Sequence, residues 1–243
     1  MREYLIVLLL AAMPALGNFF GGALAELFPV SRLTLNLALH AAAGVVIAVV
    51  AVELLPRAME ADPPWLIILS FVLGGVFFVA LSQTIERLNE RLGGGGEAGP
   101  WVIFFGVAID LFSDGVMIGT GSTLAVGLGL LLALGQVPAD VPEGYATIAG
   151  FRGQDVRRRT RLLLSAAFAV PIFLGATVGY WTMKGHPELY QLMLLTFTAG
   201  VLTTLVIEEL VPEAHEEVAD SPLSPVVFVA GFALFALISA YLE

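Results

Sequence analysis

Eight apolar stretches of membrane-spanning length follow one another along the 243 residues, separated by short polar connections. No other feature limits the fold as strongly. In hydrocarbon every backbone N–H and C=O must find its partner inside the protein, and an unbroken apolar run of about 20 residues does so as a helix. Composition points the same way. The chain is 58% hydrophobic and 13% charged, with a mean hydropathy of +0.91, whereas soluble domains carry about 25% charged residues. The predicted fold is an all-α integral membrane protein, one transmembrane domain over residues 1–243. Its spans are Tyr4–Leu27, Leu33–Pro56, Pro64–Glu86, Pro100–Ser122, Val126–Gly150, Thr160–Trp181, Glu188–Val211 and Pro225–Leu242. Met13-Pro14 and Asn18 inside the first run, with no convincing cleavage site after it, read as a retained span and not a signal peptide. Asp62-Pro63-Pro64, Gly99-Pro100 and Ser224-Pro225 mark helix starts. The longest connection, Asn89–Gly99, holds Gly93-Gly94-Gly95-Gly96 and reads as a flexible linker.

Into this apolar background is set a polar seam. Asp110-Leu111-Phe112-Ser113-Asp114-Gly115 lies inside the fourth span and Gln136-Val137-Pro138-Ala139-Asp140-Val141-Pro142-Glu143-Gly144 inside the fifth. On a helix Asp110 and Asp114 share a face at i,i+4, and Asp140 and Glu143 share one at i,i+3. Ionisable groups at membrane depth face the bundle interior or a watery path. Two such pairs on consecutive helices suit a divalent cation, whose hydration shell carboxylate oxygens can replace. The ion would neutralise only part of their charge, so its binding should release protons. Pro138 and Pro142 lack N–H groups and should break the fifth span, freeing the carbonyls of Leu134 and Pro138 as further oxygen ligands. The bland alternative is a structural polar cluster between helices.

Outside the seam, Glu53, Glu208, Glu209 and His215 are candidates for cation entry or exit, with Glu213, Glu216 and Glu217 beside the last. Solvated or snorkelling helix ends would look the same. Asn36 and His40, one turn apart on the second span, suggest interhelical hydrogen bonding, and Glu26 an interfacial anchor. The absence of cysteine excludes thiolate ligands and disulfides, and a formal charge of −10 does not favour nucleic acid. No His-Glu-x-x-His marks a zinc protease and no Gly-x-Gly-Asp an intramembrane aspartyl protease, so an enzyme is not expected.

Orientation follows from basic residues. The connections after spans 1, 3, 5 and 7 hold eight of them, five being Arg152, Arg157, Arg158, Arg159 and Arg161, against Arg2, Arg57 and Lys184 on the other side. The positive-inside bias puts the eight in the cytoplasm and both termini outside, in a plasma (inner) membrane. The Arg157-Arg158-Arg159 run also suits anionic lipid.

The chain also repeats itself. Ala43-Gly44-Val45 followed by Glu53-Leu54-Leu55-Pro56 and Ala58 recurs 156 residues later as Ala199-Gly200-Val201 with Glu209-Leu210-Val211-Pro212 and Ala214. Gly75 then matches Gly231, and Ala80-Leu81 matches Ala236-Leu237. Residues 1–87 therefore repeat as 157–243 around central helices at about 100–150. Five spans separate equivalent elements, so the copies cross the membrane in opposite senses, a design recurrent in secondary transporters.

With this 3+2+3 arrangement and these motifs, the chain resembles the ZIP (Zrt-/Irt-like) family of divalent metal transporters over nearly its whole length. The resemblance implies metal transport toward the cytoplasm, zinc as the family's metal, the ion as substrate with no resident cofactor, and the lipid bilayer as surroundings; a homodimer is left open. It aligns a family pattern like His-Asn-x-x-Asp-Gly with Asp110 to Gly115, and a second, His-Asn/Glu-Ile-Pro-x/Glu, with Ala139 to Glu143. Asp110 and Ala139 thus stand where histidines are expected, Leu111 where an asparagine is, and Val170 where many relatives carry a glutamate. Asp110, Asp114, Asp140 and Glu143 remain as an all-oxygen set that suits Mn²⁺ or Fe²⁺. The rival is a ZIP-like protein that no longer transports and serves as metal sensor or scaffold.

The orientation is directly checkable. In right-side-out vesicles an impermeant thiol reagent should label Glu60→Cys and leave Gly95→Cys unlabelled; the reverse pattern inverts the topology.

Overall fold

The computed structural model describes residues 1–29, 31–91, 99–215 and 221–242. Among them the chain forms eight long helical stretches and no strand: α1 Arg2–Leu27, α2 Arg32–Met59, α3 Pro64–Arg91, α4 Gly99–Leu124, α5 Val126–Gly153, α6 Arg158–Met183, α7 Glu188–Leu210 and α8 Ser224–Leu242. Each expected span is met within a few residues at either end. The Gly93–Gly96 linker lies outside the described residues. Among the described residues six of these helices are long and apolar enough to cross a membrane. Side chains such as Trp65, Ile68, Leu69, Val72 and Val76 lie exposed along one face of α3, a surface suited to lipid.

Prolines shape the helices locally. Pro56 and Pro212 have no N–H to offer the carbonyls of Val52 and Glu208. Just before them the helix widens to a π segment, Val49–Leu54 in α2 and Val206–Leu210 in α7. Pro171 withholds a donor from Ala167, and α6 divides there into Arg158–Ala167 and Ala169–Met183. The expected break of α5 does not occur. The helix runs from Val126 to Gly153 with Pro138 and Pro142 inside it. Its flank packs closely along α1, with Gly17 and Gly21 set against the carbonyls of Val137 and Val141.

Four helix pairs pack most extensively: α1 with α5, α4 with α6, α3 with α7, and α2 with α8. Water-driven burial is unavailable between helices in lipid, so close backbone approach must hold them, and small residues permit it. A Cβ on Gly21 would collide with the carbonyl oxygen of Val141, one on Gly115 with that of Ile172, and one on Gly44 with that of Phe228. Successive contacts advance together along both chains, as in Gly115 on Ile172 and Gly119 on Ala176, so α4 and α6 run parallel. Asn36 meets Ser224 near the starts of α2 and α8, and Glu53 meets Ser239 toward their ends, so these are parallel too.

Ion pairs set the remaining sense. Glu26, at the end of α1, pairs with Arg161 at the start of α6, with Arg158 Nε 3.3 Å away. Glu3, at the start of α1, accepts from Lys184 just beyond the end of α6 at 3.0 Å. The two helices are therefore antiparallel.

Gly115→Ala should destabilise the protein by about 1–3 kcal/mol, the usual penalty of overpacking. Gly106→Ala, where nothing lies within 4 Å of the added methyl, should not. Thermal unfolding of both variants in detergent checks the contrast.

Candidate metal site

α4 and α5 are joined by a single residue and run antiparallel, which sets the two halves of the polar seam face to face. Asp114, farther along α4, meets Gln136, earlier on α5, and the Gln136 amide Nε2 donates to its Oδ1. Asp110, one turn earlier, reaches the side chain of Glu143, later on α5. Asp140 lies between these contacts. One carboxylate oxygen each from Asp110, Asp114 and Asp140 falls within 4.8 Å of the other two. The three are 6%, 2% and 0% exposed and Glu143 9%, so none of them relies on bulk water.

The hydrogen bonding inside the cluster is incomplete. Both oxygens of Asp140, Oδ1 of Asp110 and Oε1 of Gln136 are buried with no partner among the described residues. At an effective dielectric of about 20, two ionised carboxylates this close repel by roughly 3–4 kcal/mol. A divalent cation would turn the repulsion into attraction and give the orphaned oxygens a partner. Oxygen ligands of this kind suit hard divalent ions, and the residues present fit one.

The other sequence-derived candidates are placed at the ends of the helices. Glu209 sits in the π segment of α7, half-buried and close enough for its charge to act on Asp110 and Glu143, while neighbouring Glu208 is exposed. His215 packs edge-on against His40 with ring centroids 4.9 Å apart. Asn36 donates to the carbonyl of Ala214 at 2.5 Å and accepts from Ser224 at 2.7 Å, the interhelical bonding expected of it. His40 instead bonds within its own helix, to the Asn36 carbonyl at 2.8 Å. Glu53 is not brought to the aspartates. It is buried in an ion pair with Arg57 at 2.9 Å and accepts from Ser239 at 2.9 Å. Glu216 and Glu217 lie outside the described residues.

Two residues gain weight that the sequence did not give them. Gln136 is tied into the cluster, and Asn18 is buried on α1 with its whole carboxamide unpartnered. Each is an uncharged polar residue in an apolar run, a signal that was visible but weaker than that of a carboxylate. Of the positions where the family resemblance expects different residues, Leu111 and Ala139 are packed into apolar clusters and Val170 is 57% exposed.

The helices thus bring together, at the centre of an all-α bundle, carboxylates whose hydrogen bonding is incomplete. The chain matches the family model of the ZIP zinc transporters over residues 89–239, which takes in all of α4 to α7 and most of α8. It belongs to the ZIP family, a family of divalent metal transporters and not of enzymes. No curated protein sequence matches the chain.

Proposed function

We propose that this protein carries divalent cations toward the cytoplasm through the α4–α5 seam, with Asp110, Asp114, Asp140 and Glu143 as metal ligands. The observation that carries the reading is the convergence of three buried aspartates, of which both oxygens of Asp140 and Oδ1 of Asp110 lack partners among the described residues. From there the path continues through Glu209 to the helix end that holds Glu208 and His215. At the opposite end Arg57, Glu60, Asp62 and Glu188 line an open pocket, which suits entry, with Glu53 behind it through Arg57. The basic cluster around Arg158 supports an orientation with the Glu209 end inside and the termini outside.

The helix pairing supports the inverted repeat. Exchanging α1, α2, α3 and α4 with α6, α7, α8 and α5 turns the α1/α5 pair into α6/α4 and the α3/α7 pair into α8/α2. These are the four pairs that pack most extensively. The antiparallel sense of α1 and α6 agrees, as does the recurrence of the π segment in α2 and α7.

Selectivity follows from ligand type. Zinc is the family's metal, but an all-oxygen shell should admit Mn²⁺ and Fe²⁺ with little discrimination against them. In proteoliposomes, Asp114→Asn and Glu143→Gln should each abolish uptake while leaving the protein folded. A chain that binds metal but does not move it in this assay would be a sensor or scaffold instead. In competitive uptake, Asp110→His should shift preference toward Zn²⁺ by about 10–100-fold, the scale on which changes around a metal site act. Adding Ala139→His should contribute less, since Ala139 lies in an apolar cluster. A wild type that already excludes Mn²⁺ in large excess would overturn the oxygen-shell reading.

A further inference from the structure

α1 lies outside the stretch that the family model matches, yet it borders the metal site. Gly17 stands against the turn of α5 that carries Asp140. A Cβ there would lie 3.5 Å from the Asp140 Cβ and 3.3 Å from the Val137 carbonyl. One residue on, Asn18 fills the space beside Gly144, where an added Cβ would collide with the Asn18 carbonyl and come within 3.0 Å of its Cα. Asn18 is therefore seated on the same stretch of α5 as Asp140 and Glu143.

Its side chain is the anomaly. Asn18 is 1% exposed, and neither Oδ1 nor Nδ2 has a hydrogen-bond partner among the described residues. An unsatisfied buried polar group costs about 1–3 kcal/mol, and a leucine of similar size would avoid that cost. On the facing helix both oxygens of Asp140 are equally without partners. Two orphaned oxygen-bearing side chains on adjoining helix turns can be satisfied together by one cation.

We propose that Asn18 is a ligand of the transported cation at Asp140, supplying a neutral oxygen from outside the α4–α5 seam. This rests on the reading of the seam carboxylates as the cation site. The chemistry favours a carboxamide at this point. Hard divalent ions take six or more oxygens, and each added carboxylate brings charge that holds the ion back. A neutral oxygen raises the coordination number without that charge, which favours release as well as entry.

The test uses the full chain in detergent, with the Mn²⁺-dependent rise in melting temperature as the measure of binding, together with Mn²⁺ uptake in proteoliposomes. Asn18→Leu should weaken apparent Mn²⁺ affinity about 10-fold, as loss of a contact at a metal site does, and leave the metal-free protein at least as stable as wild type. Asn18→Asp should tighten binding by a similar factor and slow turnover. If Asn18→Leu does not fold, Asn18→Asp decides: an affinity no tighter than wild type overturns the proposal. Wild-type Mn²⁺ affinity in both variants also overturns it and leaves Asn18 as a hydrated amide. Asp140→Asn run alongside separates the two readings. If it loses the Mn²⁺ response while the Asn18 variants keep theirs, only the role of Asn18 fails. If it binds Mn²⁺ normally, the carboxylate site fails and the Asn18 ligand with it.

Discussion

Three aspartates share a few ångströms in the interior of a bundle whose outer face is hydrocarbon-like. That constraint conditions the rest of the molecule. Charged groups there need a cation, a proton or a path to water, and the orphaned oxygens of Asp110 and Asp140 show that the surrounding side chains do not answer the need by themselves. Gln136 offers one donor, to Asp114, and keeps its own oxygen unpartnered. The surroundings are therefore arranged to present oxygen. A cluster meant only to glue helices together would close its hydrogen bonds internally, because partly satisfied buried networks are worse than apolar packing.

Holding such a cluster in place is a packing problem with no hydrophobic drive between helices. The chain solves it with parallel pairs of helices that are distant in sequence. Parallel neighbours need a crossover, so α1 reaches α5 and α2 reaches α8 only after several intervening spans. Each pair is brought close at glycines where one helix rests on the other's carbonyls. The two central helices differ from the rest. α4 and α5 are sequential and antiparallel, and each also has a parallel partner outside the seam. They are clamped from both sides. Such support explains how α5 keeps a continuous helix across two prolines that would ordinarily interrupt it.

The architecture was largely legible in the sequence because in a bilayer hydropathy and backbone satisfaction leave few choices. Span positions, the helix starts at Pro64 and Ser224, and the facing of Asp110 and Asp114 toward Asp140 followed from period and punctuation. The misses have physical causes. Proline was read as a break in α5, since sequence does not reveal which neighbours will brace a helix. The π segments before Pro56 and Pro212 and the division of α6 at Phe168 show the same residue acting differently in other surroundings. Asn18 stands out in the sequence only as a polar residue of the first span, because burial without a partner is a relation between helices, and only the packing of α1 on α5 displays it.

The ligand chemistry bears on how an ion could move. Four carboxylates exceed the charge of one divalent cation, so a site of this composition attracts strongly but must also let go. A histidine-based site can soften its grip through neutral imidazole ligands. Here Asp110 holds a position where the family resemblance expects a histidine, and the softening has to come from elsewhere. On the proposed path Glu209 would be one source: it lies near Asp110 and Glu143, and its carboxylate would compete with theirs for the ion. The carboxamide oxygens are the other. Gln136 lies one turn ahead of Asp140 on α5, and Asn18 abuts Gly144 one turn beyond it. An ion passing Asp140 would thus meet a neutral oxygen on either side of the strongest charge. Alternating charged and neutral ligands flatten the profile along a path, and a flat profile, more than a deep well, is what transport requires.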